Sequence, residues 1–329
     1  MTHLAPDSET ALRRATMLKT AFGPVIGGAL DDARVIEIMV NPDGALWIER
    51  HGSGRAREEA LFRMADVERI IRLVASHIGF DCDKAHPIVS AELPSGERFE
   101  GVLPPVATHP CFSIRKAAGR VISLNEYVDA GIMTGADALT LKSACHRGQN
   151  ILIAGGASSG KTTLANALLA EIAATDHRIV ILEDTRELRC DARDLVALRT
   201  SPTVSLETLV RSTMRLRPDR IIVGEVRGGE ALDLLKAWNT GHPGGIATVH
   251  ANSAASALTR LEQLIGERTR EIPCQLIADA VDLVVFIARK PGGRRVEEIL
   301  RVEGLGPDGY RLVKPNALEL VVINEGANL

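Results

Sequence analysis

Residues 151–163 read ILIAGGASSGKTT: four apolar residues, a loop of glycine and serine, and then Lys161-Thr162-Thr163 opening an alanine- and leucine-rich segment. The order strand, glycine loop, helix is what an anion cradle requires. Gly155, Gly156 and Gly160 let the backbone of Ala157, Ser158 and Ser159 curl, so that successive N–H groups point inward. The helix that follows presents its unpaired N–H groups and its positive dipole end to the same anion. Lys161 is spaced to reach the β- and γ-oxygens of a triphosphate, and the Thr162 hydroxyl is spaced to ligate Mg²⁺. The nine residues Gly155 to Thr163 are therefore the expected nucleotide site, with ATP and Mg²⁺ the expected ligands.

Downstream of this loop, short apolar runs alternate with helical segments. Strands are expected at 179–182, 221–223 and 246–249, and helices at 161–174, 206–216, 230–239 and 254–265. This alternation of buried-type strands with helices is the pattern of a parallel sheet covered on both faces. The tail, with apolar runs at 283–288, 296–302 and 310–313 between glycine and proline turns, reads as antiparallel strands appended to that sheet.

In an open parallel sheet, ligands sit outside the carboxyl ends of the strands. Three strands end there in groups that carry chemistry. The run 179–182 ends in Glu183-Asp184, with Glu187 beyond; the run 221–223 ends in Gly224-Glu225; the run 246–249 ends in His250. Hydrolysis needs a carboxylate to orient or deprotonate the attacking water, and Glu225 is the best placed. Glu183 and Asp184 form a second acidic cluster. Many phosphate-loop enzymes carry an aspartate where Gly224 stands, so this second motif is atypical. His250 is placed to hydrogen-bond a γ-phosphate oxygen or the water and so to sense the triphosphate. His242, in a Gly/Pro loop, is a weaker candidate, and the lone His51, His77 and His146 read as locally packed.

Upstream, residues 35–49 read as a hairpin about Asn41-Pro-Asp-Gly44, and the period of Val67, Ile70, Ile71, Val74 and Ile78 predicts a helix over 62–80 packed on that hairpin. A second hairpin turns at Pro94-Ser95-Gly96, and residues 111–114 form a further strand ending in Arg115. This first part, 1–116, is α+β. Residues 117–137 read as a linker, and 138–329 as the phosphate-loop domain.

With 329 residues, 45% of them hydrophobic, the chain has apolar material for two cores. A net charge of -3, from 39 basic and 42 acidic residues, and an aromatic content of 3% supply neither a basic field nor many stacking platforms, so direct nucleic-acid binding is not expected. Five scattered cysteines without a Cys-x-x-Cys pair read as reduced, mostly buried thiols. No signal-peptide core and no apolar run of membrane-spanning length is legible, so the chemistry reads as cytoplasmic.

Taken in order, GGASSGKTT, ILEDTREL, RPDRIIVGEVRGGEA and TGHPGGIATVHANSA resemble the four signatures of the secretion or traffic ATPase superfamily: phosphate loop, acidic box, Gly-Glu second nucleotide motif and histidine box. NPDGALWIER, PSGERFEGVLPP and FSIRKAA resemble its N-terminal domain. In that family Gly224 is the usual form. The compact N-terminal part is similar to the conjugative-transfer branch, the TrbB-type ATPases of type IV secretion systems. Type II secretion ATPases, pilus-assembly and pilus-retraction ATPases are relatives on the same motifs. The resemblance implies a RecA-like core with a smaller α+β N-terminal domain, an Mg²⁺-dependent ATPase and a homohexameric ring. It also implies inner-membrane channel proteins as partners and a cytoplasmic position, peripheral on the cytoplasmic face of the inner membrane. Arg98 and Arg115 stand at the family's arginine positions and would approach the phosphates from the N-terminal domain. Arg260 would be a further phosphate or interface contact. Two other classes share parts of this pattern: a DNA-translocating hexamer with the same core, and an ATP-gated scaffold with little turnover.

Overall fold

A computed structural model describes residues 8–50, 52–116, 120–201 and 203–315, with side chains from residue 16 onward. The chain divides into two units, Met1–Gly119 and Arg120–Leu329.

In the first unit, α1 (Ser8–Asp31) is kinked at Gly23 and Pro24, and it is followed by β1 (Val35–Val40), β2 (Ala45–Arg50) and β3 (Gly54–Leu61). Then come α2 (Met64–His77), β4 (Ile88–Glu92), β5 (Arg98–Val102) and β6 (Cys111–Arg115). The six strands pair antiparallel in the order β3-β2-β1-β6-β5-β4. Period-two alternation puts Ile38, Leu46, Val89, Phe99, Phe112 and Ile114 on one face, where they bury against Phe22 and Ile26 of α1 and Val67, Ile70, Ile71 and Val74 of α2. The other face carries polar residues, including Glu37, Arg98, Ser113 and Arg115.

Both expected hairpins form. The helix is shorter than its period suggested, because Ile78 lies beyond α2 and is exposed. α2 packs mainly on α1, β4 and β6 rather than on the first hairpin. β3 has no counterpart in the sequence reading; its side chains are largely exposed and charged, so no apolar period announces it.

The second unit begins with α3 (Leu124–Asp129) and α4 (Gly135–His146). β7 (Ile151–Ala154) leads through the glycine loop into α5 (Lys161–Ala173). β8 (Ile179–Glu183), β9 (Leu195–Arg199), α6 (Leu206–Thr213) and β10 (Arg220–Val226) follow. α7 (Glu230–Asn239), β11 (Ile246–Val249), α8 (Ala254–Gly266) and α9 (Cys274–Ala280) come next, and β12 (Leu283–Lys290), β13 (Gly293–Gly306) and β14 (Gly309–Val313) complete the unit.

Eight strands form one sheet in the order β14-β13-β12-β7-β11-β10-β8-β9. The central strands are buried on both faces, as a parallel sheet requires. Ile151, Ile153, Ile179, Ile181, Ile222 and Ile246 pack on α3, α4 and α5. Leu152, Ala154, Val180, Leu182, Ile221 and Ala247 pack on α6 to α9. The tail is antiparallel only in part, since β12 runs parallel to β7 and only the β12–β13 and β13–β14 pairs are antiparallel.

The expected linker, 117–137, is corrected from residue 120 onward. α3 opens with a capping box, in which the Ser123 side chain accepts from Glu126 N and the Glu126 carboxylate accepts from Ser123 N. Leu124, Tyr127 and Met133 are buried in the same core as Leu141 and Leu168. Residues 120–137 therefore belong to the phosphate-loop unit, and residues 117–119 of the expected linker lie outside the described residues. Among the described residues no helix is long and apolar enough to cross a membrane, and all five cysteines are free, with Cys82 and Cys145 buried and the others half-buried.

Candidate active site

The loop between β7 and α5 has the form its sequence demands. Gly160 takes φ 103°, in the left-handed region, and serves as the N-cap of α5. The first-turn N–H groups of α5, from Lys161, Thr162 and Thr163, have no acceptor within the helix. Two features fit an anion cradle. The Ser159 hydroxyl is buried without a hydrogen-bond partner. The Lys161 ammonium, itself buried, donates to the Gly155 and Gly156 carbonyls, each at 3.0 Å. It is a desolvated cation folded back onto its own loop.

β8, β10 and β11 lie in register beside β7 and run parallel to it, so their carboxyl ends converge on the loop. This brings together Glu183, Glu225 and His250, as the sequence predicts. Glu225 Oε2 takes the Arg227 guanidinium, with Nε at 2.7 Å. The remaining oxygen, Oε1, lies 2.7 Å from His250 Nε2, at ion-pair distance but without hydrogen-bond alignment. Oε1 is thus the oxygen left to accept a proton. Burial and the charge of Lys161 hold His250 below the usual histidine range, with Glu225 opposing, which favours the neutral imidazole. Thr248 Oγ1 donates to the Gly224 carbonyl at 2.7 Å and ties β11 to β10 where β10 changes register.

Glu183 accounts for Gly224. A Cβ at position 224 would sit 3.0 Å from Glu183 Cγ and 3.4 Å from its Oε1, so the carboxylate fills the space a larger residue would need. Glu183 Oε1 accepts from Glu187 N at 2.9 Å and Leu188 N at 2.8 Å, which folds the acidic segment over the start of α5. Burial pushes its pKa up to about 7, against the pull of these two bonds. The Thr162 hydroxyl donates to Glu187 Oε2 at 3.2 Å. A hydroxyl beside a carboxylate suits a hard divalent cation. Among the described residues there is no cluster of three or more His, Cys, Asp or Glu that could hold a metal ion.

Of the other candidates in this unit, Arg260 alone comes near the site. His242 bonds the Pro218 carbonyl at 2.8 Å, at the amino ends of the strands and so at the opposite edge. His146 is half-exposed near Glu171, and His51 lies outside the described residues. Arg260 is on α8 and bonds Gln263, close enough for its charge to lower the pKa of His250. Arg98 and Arg115 lie in the first unit, directly opposite each other on β5 and β6 in a row Glu92, Arg98, Arg115, Glu37 across four strands.

Arg227 and Glu187 take a larger part than the sequence reading gave them. Arg227 stands two residues after Glu225, a spacing that places both on one face of an extended strand. Its guanidinium also reaches Asp184, at 3.5 Å.

A family model described as "Type II/IV secretion system protein" matches residues 22–295. The chain belongs to that family. This secretion-family chain is 52% identical over 302 residues to the conjugal transfer protein TrbB of Rhizobium radiobacter, across 91% of this chain and 93% of that one. It is 35% identical over 313 residues to the type IV secretion system protein PtlH of Bordetella pertussis, across 82% of this chain and 91% of that one. Its fold matches that of the ATPase DotB of Legionella pneumophila with a TM-score of 0.58 at 17% identity, covering 98% of this chain and 86% of the other. Gly224, atypical among phosphate-loop proteins at large, thus has a physical cause in this secretion-family chain, the packing of Glu183.

The raised pKa of Glu183 has a consequence for stability. A carboxyl whose folded pKa exceeds its ordinary 4.5 favours folding fully below pH 4.5 and loses that contribution as pH rises through about 7. Chemical denaturation of the nucleotide-free protein should therefore show the wild type losing stability relative to Glu183→Gln across that window, approaching roughly 3 kcal/mol. Parallel stability curves from pH 4.5 to 7 would contradict the burial of an ionisable Glu183.

Proposed function

We propose that this chain is an Mg²⁺-dependent ATPase that powers a type IV secretion or conjugative DNA-transfer apparatus. The observation that carries the hydrolytic half is the Glu225 carboxylate at the edge of the loop's own sheet, one oxygen held by Arg227 and the other left beside His250. The transfer half rests on the family and on 52% identity to a protein named for conjugal transfer.

In this reading the N–H groups of the glycine loop and of the first turn of α5 bind the phosphates, and Lys161 exchanges the Gly155 and Gly156 carbonyls for phosphate oxygens. Bound Mg²⁺ would be held by Thr162, with Glu187 beside it, and would neutralise charge on the β- and γ-phosphates. Glu225 Oε1 accepts the proton of the attacking water. His250, neutral, donates to or accepts from the group at the γ-position and so distinguishes triphosphate from diphosphate. Lys161→Ala should lower steady-state phosphate release at least about a hundredfold, the scale for removing one donor aimed at developing charge. Unchanged turnover would remove the site assignment.

We further infer a homohexamer working on inner-membrane channel proteins from the cytoplasmic face, with Arg98 and Arg115 supplying charge to the phosphates. The family resemblance supports this, since both arginines stand at the family's arginine positions. Two measurements on the full-length chain test it. Native mass in ATP and Mg²⁺ should correspond to six copies, and Arg98→Ala and Arg115→Ala should each slow phosphate release by about 10³ without lowering the melting temperature. A monomer in both conditions, or wild-type rates in both variants, would contradict it.

A further inference from the structure

Arg294 approaches the glycine loop from an element that none of the four motifs includes. It lies at the start of β13, paired opposite Arg289 near the β12–β13 turn. A Cβ at Gly160 would come within 2.9 Å of Arg294 Cδ and 3.3 Å of its Nε, so the stem of the arginine lies flat on Gly160. Nε donates to the Ser158 carbonyl at 3.4 Å, a long bond. Among the described residues no carboxylate stands within ion-pair distance of this half-buried guanidinium. Arg178, Arg211, Arg227 and Arg268 of the same unit each have one.

A partly desolvated guanidinium with one weak acceptor is under-satisfied, and a phosphate is the partner its planar donors fit best. The strand order says which phosphates. In β13-β12-β7-β11-β10, Arg294 comes from one side of β7, while Glu225 and His250 come from the other. The γ-phosphate belongs with Glu225 and His250. The cation on the opposite side meets the remainder of the polyphosphate.

We propose that Arg294 is a nucleotide-binding residue that holds the α- and β-phosphates, so that the β12–β13 hairpin closes the diphosphate end of the site. The inference rests on the ATP-binding reading above. It gives Arg294 equal weight in binding diphosphate and triphosphate and no part in the chemical step.

Calorimetric titration of the full-length protein with ADP and with ATP, both with Mg²⁺, tests this, using Arg294→Met and Arg294→Lys. Methionine keeps an unbranched stem on Gly160 and removes the charge; lysine restores the charge. Arg294→Met should weaken ADP and ATP alike by about tenfold or more, with unchanged ligand-free melting. Arg294→Lys should recover most of the loss, and KM should rise with kcat within twofold of wild type. ADP binding by Arg294→Met within twofold of wild type would overturn the proposal. So would equal weakening by both variants, which marks loop geometry rather than charge, or a loss confined to ATP. Failure of the wild type itself to bind ADP would overturn the nucleotide-binding reading instead, and Lys161→Ala probes that reading separately.

Discussion

The burial of β7 on both faces, between β11 and β12, is the constraint from which the rest of the second unit follows. A four-residue strand with no solvent-exposed side chain can neither shift register nor tilt without opening both cores. Its carboxyl end is therefore fixed, and with it the point where the chain must turn into α5. Parallel pairing carries the same fixity to β10, β11 and β8, whose ends stop at the same edge. The chemistry of the site is a consequence of alignment in the sheet more than of any single loop.

That edge collects charges of both signs, and their balance decides what each can do. Glu183 is buried, bonded to two backbone N–H groups and pushed toward the neutral form, so it shapes the acidic segment and fills the space beside Gly224. Glu225 has one oxygen committed to Arg227 and one uncommitted, which suits a proton acceptor. Arg227 spans Glu225 and Asp184, so a move of either acidic segment is felt by the other. Three acids that look alike in sequence thus differ in setting: Glu183 is packed and bonded to backbone N–H groups, Glu225 keeps one oxygen free of hydrogen bonds, and Asp184 pairs with Arg227. The difference comes from burial and from the donors each meets.

The strands and helices with strong apolar period were legible from residues alone, and so was the place of the glycine loop between its strand and helix. β3 and β9 were missed for a common reason. They are edge strands with half-exposed or charged side chains, and only pairing with a neighbour makes them strands. α3 was missed although its signal was present: Ser123 followed three residues later by Glu126 is a capping box, and it outweighed the glycines around it. The position of Glu183, Glu225 and His250 at one sheet edge was legible because strand ends are readable, and the Arg227 contact to Glu225 could have been read from its two-residue spacing. Arg294 could not, because 136 residues separate it from Ser158 and only the sheet order brings them together.

The convergence of these strand ends on a hydrolytic site rests most directly on Glu225. Phosphate release and ATP affinity measured side by side for Glu225→Gln, which keeps size and removes the proton acceptor, separate chemistry from binding. The geometry predicts ATP affinity within a few-fold of wild type and phosphate release reduced by about 10² or more, the scale of general-base catalysis. Release at the wild-type rate with ATP still bound would contradict the assignment of Glu225 as the base and, with it, the reading of this sheet edge as the place of hydrolysis.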